Sequence, residues 1–256
     1  MQIDLNCDMG ESFGAYTIGA DAEIMPYISS ANIAAGFHGG DPQVIDRTVA
    51  LAVKHGVTVG AHPGFPDLVG FGRRNMSCTP EEVEAMVLYQ VAVVAGFARA
   101  HSVRLAHVKP HGALYNMAAQ DPALALAIAR GVARFDRQLA LVGLGGSHAM
   151  QQAAGQTGLR FVPEAFPDRR YNPDGTLVSR RLPNAVIQDP AQAAAQAVMM
   201  VKEHAVVAYD GTRVPIAAET ICLHGDNPSA VANAQALREA LQAAGIEVIG
   251  LHVRES

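Results

Sequence analysis

The chain has 256 residues, of which 50% are hydrophobic and 17% are charged, and its net charge is −5. This length and apolar content suit one large α/β core, so we expect a single domain over residues 1–256. The negative charge, without any run of lysines and arginines, argues against nucleic acid as a partner.

The sequence also bears on the compartment. The N-terminal residues MQIDLNCDMGES contain acids where a signal peptide needs basic and then apolar residues. No uninterrupted apolar run approaches the roughly 20 residues that a membrane span requires. Cys7, Cys78 and Cys222 lie far apart without a C-x-x-C pair, a pattern typical of reduced thiols. We therefore expect a cytoplasmic protein that does not bind a membrane.

Strand-like and helix-like segments alternate along the chain, which is typical of parallel strands with helices outside them. Several helix starts combine a capping side chain with proline at the first helical position, and Glu82 completes a capping box with Thr79. These starts are Asp41-Pro42, Thr79-Pro80, Asp121-Pro122, Asp189-Pro190 and Asn227-Pro228. The eight strand candidates are IDLNCD (3–8), ANIAAG (31–36), VTVGAH (57–62), RLAHVK (104–109), LALVGL (139–144), RFVPEA (160–165), TICLHG (220–225) and IEVIGL (246–251).

The residues that end these strands decide between two folds. An open doubly wound sheet gathers its site at one switch point, whereas a closed barrel gathers it from many strand ends. Polar residues occur at the C-terminal ends of nearly all strands, from the first to the seventh. The sequence therefore favours an α/β fold with a single (β/α) barrel.

Alternation along the strands predicts which side chains share the barrel lumen. The apolar set must face the helices, so the polar set faces the barrel axis. We expect the deeper Asp4, Asn6 and His107 to form a structural polar network, because buried charges need partners. The sets predicted to face the lumen are Asp4, Asn6 and Asp8; Thr58, Gly60 and His62; His107, Lys109 and His111; and Thr220, Cys222 and His224.

The C-terminal strand ends, where barrels place catalysis, carry most of the candidate site residues. Glycines recur beside them and permit tight turns and close approach of a ligand to the backbone. The candidates at these ends are Asp8, His38, His62, Lys109, His111, Glu164, His224 and Asp226.

The loops after the third and sixth strands are rich in arginine despite the negative overall charge. Guanidinium groups bind carboxylate or phosphate in a bidentate manner, so together with Lys109 they suggest a small anionic substrate. A solvated loop or a contact with another protein chain is the alternative for each arginine taken singly. The arginines are Arg73, Arg74, Arg169, Arg170, Arg180 and Arg181.

The segment GLGGSHAM (143–150) follows a predicted strand and opens a helix, as an anion-binding nest does. His148 occupies the third glycine position of the dinucleotide fingerprint, and the Gly-Lys-Ser or Gly-Lys-Thr of the Walker pattern is missing. The segment is a weak anion-site signal, and the sequence contains no ATP-binding motif.

A divalent metal is a further expectation that the residues leave open. Asp8 with His38 and His62, or with His111 or His224, would supply the carboxylate and imidazoles that zinc and similar ions prefer. No local H-x-x-x-H or H-x-x-E-H motif supports such a site, although non-local ligands are normal in barrels.

Six motifs in order along the chain resemble those of the LamB/YcsF family. The resemblance covers essentially the whole chain and falls on the predicted strand ends. It implies a barrel of the seven-stranded glycoside hydrolase/deacetylase type, with an eighth strand at the C-terminus as a further possibility. The motifs are LNCDMGESFG, ANIAAGFHGGDP, GAHPGFPDLVGFGRR, VKPHGALYN, EAFPDRRY and LHGDNP.

The resemblance also implies a reaction, the ATP-dependent opening of 5-oxo-L-proline to L-glutamate by a 5-oxoprolinase. It further implies two partner subunits that resemble the two halves of allophanate hydrolase. Those partners would activate the lactam with ATP, which agrees with the lack of a nucleotide motif here, and this chain would complete the hydrolysis. Formation of homo-oligomers is left open.

From their strand-end positions we assign hypothetical roles in this reaction to the candidate residues. Asp8 is the general base or a metal ligand, and His62 and His38 orient it. Lys109, aided by His111, neutralises charge that develops on oxygen. Arg169 or Arg170 holds the substrate carboxylate. The substrate-binding candidates are Glu11, Asn32, His38, Arg73, Glu164, Arg169, Arg170, His224 and Asp226.

Two other functions are compatible with the sequence. A metal-dependent deacetylase of N-acyl sugars or amines would act alone, with metal and without ATP. A non-catalytic protein would bind substrate and leave all chemistry to its partners. The many ionisable lumen groups favour an enzyme, since a scaffold does not need them.

Overall fold

A computed structural model describes residues 1–179, 182–223, 225 and 229–252 of the chain. The strands are β1 Gln2–Met9, β2 Ser30–Ala34, β3 Thr58–His62, β4 His107–Val108, β5 Ala140–Leu144, β6 Arg160–Ala165, β7 Ala205–Val207, β8 Arg213–Pro215, β9 Thr220–Leu223 and β10 Glu247–Val248. The helices are α1 Asp21–Ile24, α2 Pro42–His55, α3 Pro80–Ala100, α4 Gly112–Ala118, α5 Pro122–Phe135, α6 His148–Thr157, α7 Pro190–Glu203 and α8 Ala230–Ala243, with a 3₁₀ turn at Met25–Tyr27.

Seven parallel strands close into a barrel. Their order is β1-β2-β3-β4-β5-β6-β9, and β9 pairs with β1 to complete the ring. The eighth parallel strand, β10, pairs with the start of β1, where Gln2 lies opposite Glu247. The predicted seven-stranded barrel with an extra C-terminal strand is confirmed. The short antiparallel pair of β7 and β8 lies outside this ring and was not predicted.

Four of the five predicted helix starts are confirmed. The side chains of Asp41, Asp121 and Asp189 accept hydrogen bonds from amides of the first turns of α2, α5 and α7. Thr79 and Glu82 form the reciprocal capping box at the start of α3. The fifth start, Asn227-Pro228, lies outside the described residues; α8 begins at Ala230 with Ser229 at its N-cap.

Helix α3 is the longest helix among the described residues and is strongly apolar. By length and composition alone it is the one helix in the described residues that could cross a membrane, although its apolar residues are interrupted. In the barrel α3 packs against β3 and α5, and Val83, Val87, Val91 and Val94 on its inner side are buried. This spacing is that of a helix covering one face of a sheet.

Members of the polar sets that alternation predicts lie in the lumen, and His224 of the last set lies outside the described residues. The Oδ1 of Asp4, at 2% exposure, accepts hydrogen bonds from the hydroxyls of Ser29 and Ser30 at 2.8 and 2.7 Å. A side chain at Gly60 would collide with the imidazole of His107, which crosses the lumen from β4. Glycine at this position therefore makes room for the buried histidine.

Candidate active site

Lys109 lies at the centre of the polar lumen, immediately after β4. Its ammonium is 3.0 Å from Oδ1 of Asp8 and 2.9 Å from Oε1 of Glu164. It also lies 3.2 Å from Oδ1 of Asn6 and 3.0 Å from Sγ of Cys222. The predicted encounter between the first and fourth strands is thus an ion pair, and the ammonium protons are all directed at protein atoms.

Glu164 supports Lys109 from below and is fully buried at the end of β6. Its Oε1 also accepts a hydrogen bond from Asn6 at 2.9 Å, and its Oε2 accepts one from the Tyr115 hydroxyl at 2.7 Å. A buried carboxylate with three donors is satisfied. Glu164 was predicted to bind substrate, but the structure places it behind Lys109.

Opposite charges in this network hold both ionisable partners in their charged forms. Burial acts to lower the pKa of Lys109, but the attraction of Asp8 and Glu164 outweighs it and raises that pKa well above its usual value. Burial likewise acts to raise the pKa of Asp8, but His62 and Lys109 hold it well below its usual value. Asp8 therefore stays a carboxylate at neutral pH.

Deeper in the lumen than Lys109, the predicted structural network of polar side chains is present. Asn32 on β2 donates to Oδ1 of Asn6 at 2.7 Å and to Oδ1 of Asp8 at 2.8 Å. His107 lies 2.7 Å from Oδ1 of Asn32. Burial raises the pKa of Asp4, at the bottom of the network, to about 6. Asn32 connects this network to Asp8 and does not reach the cavity.

Three histidines and one glutamate gather beside Asp8. Nε2 of His62 is 3.3 Å from Oδ2 of Asp8 and 3.0 Å from Nδ1 of His111. The rings of His38 and His111 stack with centroids 3.7 Å apart and an interplanar angle of 1°. Glu11 Oε1 lies 3.4 Å from both His38 Nε2 and His111 Nδ1.

Burial favours the neutral imidazole at His38 and His111. Burial, reinforced by the neighbouring histidines, lowers the pKa of His111 to about 3. The same causes lower the pKa of His38 well below its usual value. One donor atom each from Glu11, His38, His62 and His111 can be chosen so that all lie within 4.8 Å of one another. This set contains His38, His62 and His111 from the predicted metal ligands, with Glu11 in the place of Asp8.

A cavity of about 210 Å³ opens above Lys109 at the C-terminal ends of the strands. It equals roughly seven water volumes at about 30 Å³ each, which suits a small single-ring molecule. Cationic groups and Asp8 share its wall with apolar side chains. Its lining is Asp8, His62, Arg73, Lys109, Pro110, His111, Gly112, Ala113, Tyr115, Asn116, Phe166, Arg169 and Leu177.

The two arginine-rich loops contribute differently to this cavity. The Arg73 guanidinium lies 4.9 Å from the centre of the Phe71 ring at the exposed rim. Arg169 is 7% exposed and donates to the Val178 carbonyl at 2.6 Å while lining the cavity. Arg170 instead points its guanidinium towards Gln192 on α7. Of the two candidates for holding a substrate carboxylate, Arg169 is thus the one at the cavity.

The remaining predictions fall in three groups. Glu11, Asn32 and His38 are buried behind the cavity wall. Arg74 pairs with Asp67 and does not line the cavity. The residues that lie outside the described part of the chain are Arg180, Arg181, His224 and Asp226.

The predicted nest at Gly145, Gly146 and Ser147 is already occupied by the protein itself. The Gly145 amide donates to the Glu164 carbonyl and the Ser147 amide to the Leu144 carbonyl. The Ser147 hydroxyl caps α6 by accepting from the Met150 amide at 3.1 Å. Two of the three amides are therefore directed at backbone oxygens, and the segment serves the fold.

Sequence reasoning missed several residues of the site. Tyr115 holds Glu164, and Asn116 beside it lines the cavity. Phe166 forms an apolar wall, and its ring centre is 5.8 Å from the Lys109 ammonium. Tyr115 and Asn116 follow Gly112 within the first turns of α4, so their place in VKPHGALYN was the available signal.

Comparison with known proteins gives consistent matches along the full chain. The profile of the LamB/YcsF family matches residues 3–255. A protein of Symbiobacterium thermophilum, described as the A subunit of 5-oxoprolinase, is 59% identical over 247 residues, covering 96% of this chain and 94% of that protein. The protein of the same description from Bacillus subtilis strain 168 is 51% identical over 255 residues, covering 100% and 99%.

A solved structure gives the same result for the fold. The lactam utilization protein from Thermus thermophilus superimposes with a TM-score of 0.94 at 52% identity. The match covers 98% of this chain and 100% of that one. The whole barrel, including the segments that carry the site, is therefore shared with that protein.

Proposed function

The chain belongs to the LamB/YcsF family, and on that premise we propose that it acts as the A subunit of an ATP-dependent 5-oxoprolinase. The observation that carries this proposal is the match, over essentially the full length of both chains, to relatives described as that component of 5-oxoprolinase. In this role the chain hydrolyses the lactam of 5-oxo-L-proline to L-glutamate. The cavity at the strand ends is where we place that reaction.

The cavity suits a small anion. Arg169 and Arg73 line its outer part, and Lys109 closes its inner end. Guanidinium groups form the most directional contacts to carboxylates, so the substrate carboxylate is assigned to Arg169, with Arg73 at the rim. Phe166 and Leu177 offer apolar walls to the ring methylenes. This arrangement directs the lactam carbonyl towards Lys109 and Asp8.

Lys109 acts through its charge in this scheme. Its ammonium already contacts Asp8, Glu164 and Cys222, so it has no proton directed at the cavity. A fixed positive charge near the negatively charged oxygens on the carbon under attack stabilises the transition state, and burial strengthens the effect. We therefore assign Lys109 to electrostatic stabilisation and not to proton donation.

Asp8 and His62 are assigned to the attacking water. The low pKa of Asp8 makes it a weak general base at neutral pH, so orientation of the water is its better role. His62 adjoins it at 3.3 Å, and both side chains line the cavity. A water held between this pair and the lactam carbon would be positioned for attack.

Two further subunits and ATP complete the proposal. A lactam is an unreactive amide, and phosphorylation of its oxygen would give a better electrophile for the water held by Asp8 and His62. Addition of that water and cleavage of the ring C–N bond would free the amine and leave an acyl phosphate, which a second water converts to L-glutamate and phosphate. We assign that step to partners that resemble the halves of allophanate hydrolase. In support, the one glycine-rich segment considered for phosphate uses two of its amides within the fold.

Reconstitution tests this function directly. The purified chain is mixed with and without the two partner subunits from the same organism, and conversion of 5-oxo-L-proline to L-glutamate is followed with and without ATP. We expect turnover only when all three subunits and ATP are present. Turnover by this chain alone, or none by the complete mixture, would contradict the proposal.

The same assay separates the alternative functions. Release of acetate from an N-acetylated sugar by this chain alone, with a divalent metal and without ATP, would indicate a deacetylase. Normal glutamate production by a complex that contains a folded Asp8→Asn variant would indicate a component that only binds substrate. Loss of turnover in that variant is the expected result.

A further inference from the structure

The histidine cluster beside Asp8 has its protons fixed by the backbone. Nδ1 of His62 lies 2.7 Å from the Lys109 carbonyl, and Nε2 of His111 lies 2.8 Å from the Phe71 carbonyl. A carbonyl oxygen only accepts hydrogen bonds, so each of these two nitrogens carries a proton. The other nitrogen of each ring then presents a lone pair unless that ring takes up a second proton.

Those two nitrogens face each other. Nε2 of His62 and Nδ1 of His111 are 3.0 Å apart, within a buried part of the barrel. Carboxylate oxygens, which are acceptors as well, lie on the same side: Asp8 Oδ2 is 3.3 Å from the His62 nitrogen, and Glu11 Oε1 is 3.4 Å from the His111 nitrogen. Acceptors in contact repel each other unless a cation or a proton lies among them.

His38 adds a third nitrogen to this group. Its side chain is completely buried, and neither ring nitrogen has a hydrogen-bond partner in the structure. Its Nε2 is directed towards the cluster and lies 3.4 Å from the Glu11 carboxylate. Burying a polar nitrogen without a partner is costly, whereas a bond to a metal ion would satisfy it.

We propose that Glu11, His38, His62 and His111 bind one divalent transition-metal ion, with Asp8 beside it on the cavity side. Ligand atoms about 2.0–2.1 Å from a tetrahedral ion lie roughly 3.3 Å from one another. The separations of 3.0 Å between His62 and His111 and 3.4 Å from Glu11 to His38 and His111 are of this size. The His38 and His111 rings are parallel, with centroids 3.7 Å apart, so one of them must turn before both can direct a lone pair at the same ion.

The donor set decides the class of ion. Three imidazoles and one carboxylate suit zinc, cobalt, manganese or iron, whereas magnesium and calcium prefer oxygen ligands. The carbonyls of Lys109 and Phe71 orient two of the rings, as outer partners do at metal-binding histidines. His62 and His111 line the cavity, so a bound ion would offer a Lewis acid at its inner wall.

Metal content is the test, and it does not depend on the proposed function. The chain is purified without a histidine tag and without chelators, and bound metals are measured by elemental analysis. The stripped chain is then titrated with Zn²⁺ or Co²⁺, with Mg²⁺ as the oxygen-preferring comparison. We expect about one transition-metal ion per chain and visible Co²⁺ absorption bands of nitrogen and oxygen ligation, unaffected by excess Mg²⁺.

Variants locate the site. His38→Gln removes a ligand without touching the cavity wall, and we expect it to weaken Zn²⁺ binding at least about tenfold. His107→Gln is the matched control, because His107 is equally buried in the same barrel and contacts Asn32 outside the cluster. It should bind Zn²⁺ as the unchanged chain does. Equal affinity of His38→Gln and the unchanged chain would overturn the proposal.

A spectroscopic measurement covers the case in which a variant fails to fold. X-ray absorption of the unchanged chain loaded with Zn²⁺ should give imidazole scattering from about three ligands near 2.0–2.1 Å. Failure to bind Zn²⁺ or Co²⁺, or ligation by oxygen alone, would overturn the proposal and leave a shared proton between His62 and His111. Because no turnover is measured, this outcome is distinguishable from a failed reconstitution.

Discussion

Lys109 brings two carboxylates together at the inner end of the cavity. It lies 3.0 Å from Asp8 and 2.9 Å from Glu164, and its side chain is only 4% exposed. A buried ion pair contributes little net stability compared with apolar residues, but removal of one partner leaves the other charge buried without compensation. The residue is therefore constrained by stability as well as by the chemistry proposed for it.

Substitution of Lys109 separates these two constraints. We expect Lys109→Met to lower the free energy of unfolding by about 3 kcal/mol, because two carboxylates then lie together without a cation. In reconstituted turnover we expect a loss of about a hundredfold or more, the scale of removing a charge-stabilising group. The double variant Lys109→Met with Glu164→Gln should regain part of the stability and none of the turnover.

Chemical denaturation and steady-state kinetics check this prediction. Lys54→Met, on the exposed side of α2, serves as the control and should change neither quantity. A double variant no more stable than Lys109→Met would contradict the account of charge balance. Recovery of turnover in the double variant would contradict the role of Lys109 in the reaction.

Alternation along the strands was enough to predict that Asp8 and Lys109 meet in the lumen, since period-two geometry fixes which side chains point inwards. It was not enough to predict Glu11 as a metal-site candidate beside His38. They follow β1 and β2 on loops, and close packing brings them together: a side chain at Gly39 would lie 2.6 Å from the Glu11 carbonyl. Such contacts depend on loop paths that local patterns do not encode.

At the scale of elements, local signals worked best where the backbone itself imposes them. Asp-Pro and Thr-Pro marked four helix starts because proline suits the first helical position and the preceding side chain accepts free amides. The β7–β8 hairpin was missed because each strand has three residues. Its turn residues Asp210-Gly211, with Gly211 at φ +89°, were the available signal.

Asp41 caps α2 and also binds a neighbouring loop, so we expect its side chain to contribute more to stability than the Asp189 cap of α7. Its Oδ1 accepts from the amides of Gln43 and Val44 at 2.8 and 3.0 Å, and its Oδ2 accepts from the Gly14 amide at 2.7 Å. We expect Asp41→Ala to lower the free energy of unfolding by about 1–2 kcal/mol. The loop that carries Glu11 should loosen as well.

Asp189→Ala at the start of α7 is the matched control, because Asp189 accepts from the single amide of Ala191 at 3.1 Å. Its expected loss is smaller, at the low end of about 0.5–2 kcal/mol. Equilibrium denaturation compares the two variants. An equal or larger loss in Asp189→Ala would show that the tie to Gly14 adds nothing.

At the scale of the whole molecule, the two ends of the barrel have different tasks. The C-terminal ends of the strands surround the cavity, the arginines and the histidine cluster. The opposite end is closed by the segment after β10, where Leu251 packs against Ala140, Val142 and Val162 inside the ring. In barrels the first end serves the reaction and the second serves stability.

Leu251 offers a test of this division. It is 6% exposed, and its amide donates to the Ser30 hydroxyl at 3.3 Å, so the segment is held by both packing and a hydrogen bond. Leu251→Ala leaves a cavity in the closed end, and we expect a loss of about 2–3 kcal/mol in the free energy of unfolding. Leu68→Ala, at a side chain that is 44% exposed, should cost about 0.5 kcal/mol or less.

The functional half of this prediction concerns turnover. Well below the unfolding temperature, Leu251→Ala should keep the kcat and KM of the reconstituted enzyme, because the polar network of Asp4, Asn6 and Asn32 separates Leu251 from the cavity. Thermal unfolding and steady-state kinetics on the same preparation check both halves. A fall in kcat of about tenfold at a temperature where the variant is fully folded would show that the two ends are coupled through the lumen.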